Sequence, residues 1–191
     1  VDSVYSSAPE ALALLGEGDV VVICVPTLTV ASTFKELKEY LNESVTVTDA
    51  ASVKGSIIQA AKKVYGYLPP QFVPGHPIAG SEKSGVEASN PELYVDHRVI
   101  LTPEAETGYE HVERVTRLWE GVGAIVSSMP VEEHDEVLAA TSHLPHLLAY
   151  SLVDTLAAMK ENREIFRYAA GGFRDFTRIA GSDPVMWHDI C

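Results

Sequence analysis

Four stretches of this chain bring together residue types that can do chemistry. The densest is Pro74-Gly75-His76-Pro77-Ile78-Ala79-Gly80, followed by Ser81 and Glu82. A histidine set between Gly and Pro turns at the end of a strand is held rigidly and partly exposed, as a general base near neutral pH requires. The plainer reading is a loop histidine that caps a turn. In Asp49-Ala50-Ala51-Ser52-Val53-Lys54, Ser52 suits the N-cap of the helical pattern that follows. Alternatively it offers a hydroxyl where free amides and the helix dipole favour an anion. His134-Asp135 and Ser142-His143-Leu144-Pro145-His146 supply three histidines and an acid, a set that could bind a metal. Pro145 leaves the relative geometry of His143 and His146 open. Without a metal, the segment presents two histidines and Ser142 to whatever it faces. In Gly171-Gly172-Phe173-Arg174-Asp175-Phe176-Thr177-Arg178, Arg174 and Arg178 are four apart and share a helix face, with Asp175 beside them. An arginine fork suits a carboxylate, whereas an exposed Arg–Asp pair would contribute little.

These stretches are positioned by two kinds of element. In the first two-thirds, short strands alternate with amphipathic helices. The apolar run Val20–Pro26 reads as a strand buried on both faces of a parallel sheet. Further strands are expected at 45–49, 72–73, 97–101 and 124–126. Helices are expected at 8–15 and around Phe34–Leu41, Val53–Val64 and Val112–Trp119. The pattern is an α/β fold with right-handed crossovers. Ligands of such sheets sit beyond the C-terminal strand ends. Pro26-Thr27, Asp49–Lys54 and Gly75–Gly80 stand there. After Met129-Pro130 strand patterns stop. Helical spacing runs from Val137 to Met159, with Pro145 expected to kink or divide the helix. Shorter helices follow at 161–168 and 173–179. A domain boundary falls near Ser127–Val131.

Composition excludes several classes. The chain has 191 residues, 46% apolar and 21% charged, a mixture that folds into a core rather than staying disordered. Twenty-seven acids against fourteen scattered bases give a net charge of −13, which repels nucleic acid. No apolar run approaches the ~20 residues of a membrane helix, and the first residues do not read as a signal peptide. The expectation is a soluble, cytoplasmic protein. Two cysteines, Cys24 and Cys191, do not suggest a disulfide framework. No Gly-x-Gly-x-x-Gly turn is present.

Taken in order, the motifs Asp49–Lys54, Gly75–Gly80 with Ser81–Gly85, Ser142–His146, and Gly171–Arg178 with Met186-Trp187 resemble the prephenate dehydrogenase family. That family also contains arogenate and cyclohexadienyl dehydrogenases. The resemblance runs from about Val20 to the end. It implies a partial Rossmann-type nucleotide-binding domain (residues 1–128) followed by an all-helical substrate and dimerisation domain (residues 129–191). It also implies a homodimer and an NAD(P)-dependent oxidative decarboxylation of prephenate to 4-hydroxyphenylpyruvate in tyrosine biosynthesis. NAD is the expected cofactor, with NADP the alternative. Arogenate is the alternative substrate, and tyrosine an expected inhibitor.

By the same resemblance, His76 hydrogen-bonds and polarises the ring hydroxyl as hydride leaves. Ser52 assists at that hydroxyl and at the nicotinamide. Arg178 holds the ring carboxylate, and His146, with Ser142 and His143 nearby, contacts the substrate. Glu82 and Asp175 stand at the pocket mouth, Gly171 and Trp187 near the substrate side chain, and Val25, Pro26 and Thr27 along the cofactor. No metal is implied. The chain departs from the family in lacking the opening strand, the glycine turn and the acid that reads the ribose, so it reads as a fragment. Two other classes compete with this reading. One is a metal-dependent hydrolase using His134, Asp135, His143 and His146, and the other a non-catalytic binding module.

Overall fold

A computed structural model describes residues 3–80 and 85–190. The chain divides into two compact units. One comprises Val1–Ala79 and Asn90–Asp135, the other Gly80–Ser89 and Glu136–Cys191.

The first unit is α/β. In chain order it holds α1 (Ala8–Leu12), β1 (Val20–Ile23), α2 (Val30–Lys38), β2 (Thr46–Asp49), α3 (Gly55–Tyr65), β3 (Phe72–Val73), β4 (Gly75–Pro77), β5 (Arg98–Leu101), α4 (Tyr109–Gly121), β6 (Ile125–Ser128) and the start of α5 (Val131–Leu138). β1, β2 and β3 are parallel neighbours, Val20 facing Thr46 and Val47 facing Phe72. β2 is buried at all four positions, as a strand covered on both faces must be. Its alternation of Thr and Val is therefore no guide to exposure. Phe34 and Leu37 of α2 and Ile57, Ile58 and Ala61 of α3 are spaced three or four apart or adjacent, so each helix turns one apolar stripe inward. The Phe34 ring meets Phe72 edge-on, with centroids 5.1 Å apart. α3 stops at Gly66, whose φ of 87° is the left-handed cap conformation that glycine adopts without a Cβ clash.

The second set of strands departs from the expected parallel pattern. β5 pairs in parallel with β6 but antiparallel with β4, His76 opposite Ile100. The break between β3 and β4 falls at Pro74, which has no N–H to continue a ladder. Its carbonyl accepts from the Thr102 N–H at 3.0 Å, and the chain re-enters a sheet one residue later. Gly75 makes that possible. A Cβ there would lie 3.1 Å from both Asp49 O and Thr48 Oγ1. Val99, Leu101, Val115 and Trp119 form the core between these strands and α4.

The second unit is helical. It contains the rest of α5, a π-helical turn at Ala139–His143, α6 (Leu144–Ala157), α7 (Asn162–Arg167), α8 (Gly171–Thr177), a 3-10 turn at Arg178–Gly181 and α9 (Pro184–Ile190). Pro145 lies in the first turn of α6, where its missing N–H costs little. The wider turn just before it is the usual helical accommodation of an interrupted ladder. α9 was not expected from the sequence. Tyr150 of α6 ties down the turn that precedes it by donating to Ser182 O at 2.6 Å. No described helix is long and apolar enough to cross a membrane.

Candidate active site

In the first unit, the segments after β1, β2 and β3 are tied together by backbone and by one buried ion pair. The carbonyl of Ile23 accepts from Ala50 N–H at 3.1 Å. The Asp49 carboxylate receives Gly75 N–H on Oδ1 at 3.1 Å and Ala51 N–H on Oδ2 at 3.0 Å. Oδ2 also receives the Lys54 ammonium. Lys54 Nζ donates in addition to Gly75 O at 2.6 Å. Both side chains are fully buried. Burial pushes the Lys54 ammonium below its ordinary value, and the charges of Asp49 and Asp135 oppose that shift. A charge pair this deep is tolerable because its members find several partners.

His76 stands next in the chain to this knot. It is not the partly exposed loop residue that its Gly-Pro flanks suggest. It lies within β4 and is 8% exposed. Its Nδ1 lies 2.9 Å from Nε2 of His134, and His134 Nδ1 lies 2.8 Å from Asp135 Oδ1. His134 is wholly buried, and that burial pushes its imidazole below its ordinary value, with Asp135 pulling the other way. Burial by itself would raise the Asp135 carboxyl. Hydrogen bonds from the Lys54 and Gly55 N–H groups and from His134 outweigh it and hold the carboxyl below its ordinary value. At neutral pH the pair is therefore a neutral imidazole beside a carboxylate.

Asp135 also does what the sequence assigns to Ser52. α3 begins at Gly55, so Ser52 falls too early to cap it, and no side chain from its own segment does. Instead Asp135 Oδ1 accepts from Lys54 N–H at 2.9 Å and Oδ2 from Gly55 N–H at 2.8 Å. A carboxylate at a helix N-terminus also meets the positive end of the dipole. Ser52 is half-buried beyond the end of β2. Beyond β1, Val25 and Pro26 are exposed and Thr27 is half-buried. Small, polar and exposed residues past adjacent parallel strand ends suit one end of a dinucleotide.

The second unit carries the other predicted residues. His146 in α6 stacks on Trp187 of α9, with ring centroids 3.6 Å apart and planes 22° apart. His143 meets the same indole edge-on at 6.0 Å. His146 Nδ1 donates to the backbone carbonyl of Ser142 at 2.9 Å. Gly171 opens α8, Asp175 is exposed on it, and Arg178 follows it as the first residue of the 3-10 turn. Arg174, also on α8, makes no ion pair with Asp175 among the described residues. Glu82 and its neighbour Ser81 lie outside the described residues. Among those described, no group of three or more His, Cys, Asp or Glu side chains is disposed to hold a metal ion. His134 and Asp135, which the metal-hydrolase alternative uses, are instead engaged with His76 and α3.

Residues 2–128 match the family model described as the prephenate dehydrogenase nucleotide-binding domain, and residues 130–191 that of its dimerization domain. The chain belongs to the prephenate dehydrogenase family. It is 41% identical over 177 residues to a cyclohexadienyl dehydrogenase from Zymomonas mobilis, covering 91% of this chain and 59% of that protein. It is 40% identical over 178 residues to a prephenate dehydrogenase from Bacillus subtilis, covering 91% of this chain and 47% of that protein. The prephenate dehydrogenase of Aquifex aeolicus, solved with hydroxyphenyl propionate and NAD+, superposes with a TM-score of 0.87 at 44% identity, over 97% of this chain and 64% of that one. The fold is a Rossmann-like nucleotide-binding domain followed by a helical dimerization domain. The chain spans about half the length of the curated relatives it matches. Within this family member, the residues that sequence reasoning did not connect to His76 are Lys54, His134 and Asp135. Of these, only the adjacency of His134 and Asp135 drew notice, and it pointed to a metal.

Proposed function

We propose that the protein carrying this chain is an NAD-dependent prephenate dehydrogenase, converting prephenate to 4-hydroxyphenylpyruvate, carbon dioxide and NADH. The observation that carries this reading is His76. It is a buried imidazole on a short strand beside the C-terminal ends of a parallel sheet, with one ring nitrogen already engaged by another histidine.

NAD, when bound, would supply the acceptor for the hydride that leaves the ring carbon bearing the hydroxyl. His76 takes the hydrogen bond of that hydroxyl and disperses the positive charge that develops as hydride departs. Loss of the ring carboxylate as carbon dioxide returns an electron pair to the ring and closes the aromatic system, leaving a phenol. A positioned base of this kind contributes about 10²–10⁴-fold. Ser52 assists at the same hydroxyl, and Val25, Pro26 and Thr27 would lie along the cofactor. Arg178 binds the ring carboxylate. His146, Ser142, Gly171, Trp187, Asp175 and Glu82 are assigned to the substrate by their places in the family's motifs. The homodimer belongs to the same reading. Leu144, Leu147, Leu148, Phe176 and Met186 of the second unit are exposed, an apolar surface of the kind a partner copy covers. Tyrosine, which shares its ring with the product, is the proposed inhibitor.

The test is cofactor reduction by the full-length protein with prephenate and NAD, against arogenate and NADP. Prephenate-dependent NADH formation that falls by at least about 10²-fold in His76→Asn is expected. A folded protein inactive with prephenate, or an unimpaired His76→Asn variant, would overturn the assignment.

A further inference from the structure

The contacts of His134 run in one direction. Its Nδ1 faces the ionised Asp135 carboxylate at 2.8 Å, and a carboxylate can only accept. The proton of neutral His134 therefore sits on Nδ1, and its Nε2 is the acceptor. The 2.9 Å contact to His76 must then be a hydrogen bond donated by His76 Nδ1. The reverse arrangement would set two lone pairs against each other at the Asp135 end. Asp135 is itself fixed by the Lys54 and Gly55 N–H groups, so the direction is anchored in the backbone of α3.

We propose that His134 and Asp135 are positioning residues for His76. They hold its proton on Nδ1 and place its basic lone pair on Nε2, ready for the substrate hydroxyl, and they stabilise the imidazolium as it takes up positive charge. The inference rests on the dehydrogenase reading for its substrate and goes beyond it in naming what sets the state of the base. It follows the general logic of a base oriented by a second group. Here a histidine stands between base and carboxylate, which carries the influence of Asp135 one residue further. Among the described residues, the titratable and charged groups that face His76 are His134 and Asp135 from α5, and the Lys54–Asp49 pair, which reaches it through the backbone of Gly75.

The experiment uses the full-length protein and two variants. His134→Leu removes the acceptor. His134→Gln restores one at the position of Nε2. In His134→Leu, kcat is expected to fall about 10- to 100-fold with KM changed less than about threefold. The acid limb of kcat/KM is expected at lower pH, because the imidazolium has lost its partner. His134→Gln should recover part of both. A merely structural role would move neither the limb nor the rescue. Wild-type kcat and an unmoved limb in His134→Leu would overturn the inference while leaving the dehydrogenase assignment intact. Histidine 15N NMR of the wild type needs no turnover. With His76 assigned by its loss in His76→Asn, its proton should be found on Nδ1. A His76 carrying its proton on Nε2 refutes the inference. A wild type without prephenate turnover refutes the assignment, and the NMR then decides the positioning by itself.

Discussion

Lys54 offers the sharpest test of how this site is held. The ammonium is fully buried and joins the Asp49 carboxylate to the carbonyl of Gly75, the residue before His76. Lys54→Met keeps most of the apolar stem and removes the charge and its donors. Among the described residues, Asp49 is then left fully buried with only the Ala51 and Gly75 N–H groups as donors and no countercharge. Removing one partner of a buried pair costs about 3–5 kcal/mol, most of it from the stranded charge. Gly75 O also loses its only side-chain donor among the described contacts, which belongs to the same few kcal/mol rather than adding to them. For a protein of this size, 1 kcal/mol moves Tm by roughly 2–4 °C, so a fall of about 6–20 °C is expected. The assay is thermal unfolding followed by circular dichroism, with Asp49→Asn and the double variant completing a cycle. Because Asp49→Asn removes the stranded charge, the double variant should be more stable than Lys54→Met. A single-variant Tm within about 3 °C of wild type, or a double variant at the sum of the two losses, would refute the reasoning.

Three further outcomes follow from particular contacts. In Gly55→Ala the new Cβ would meet Asp135 Oδ2 at 2.9 Å. The cap of α3 must shift, and unfolding should show a loss of about 1–2 kcal/mol; an unchanged denaturation midpoint would place the carboxylate elsewhere. Arg178→Gln should raise KM for prephenate with kcat little changed, since it removes charge binding and not the base; steady-state kinetics that show a loss confined to kcat would contradict that role. Burial holds both His134 and His111 below their ordinary value of 6.5. The unfolded chain therefore takes up these protons at higher pH than the folded one, so stability is full above about pH 6.5 and declines as pH drops from there toward the depressed folded values. Melts across that range should show the decline, and His134→Leu should show less of it.

The apolar run at Val20–Ile23, the amphipathic spacing of Phe34 with Leu37, and the end of strand patterns near residue 129 are local features. They follow from periods of 2.0 and 3.6 residues, which act within a few positions. These, with four short motifs in order, carried the family and the two-part fold. What the sequence left undetermined depends on the path of the chain. The contact of His76 with His134 spans 58 residues, and that of Asp135 with the start of α3 spans 80 and 81. No periodicity encodes such distances. His134-Asp135 offered a metal site as an alternative because residue type alone cannot say what a side chain faces. Ser52 read as a cap because its own segment offered no other, whereas the real cap arrives from α5. His76 read as a loop residue because Pro74 interrupts the ladder, and only the approach of β5 turns the next three residues into a strand. Local chemistry singled out His76 as the candidate base, and tertiary packing decided what stands behind it, because only packing can bring two ring nitrogens from distant segments within hydrogen-bond reach and bury them there.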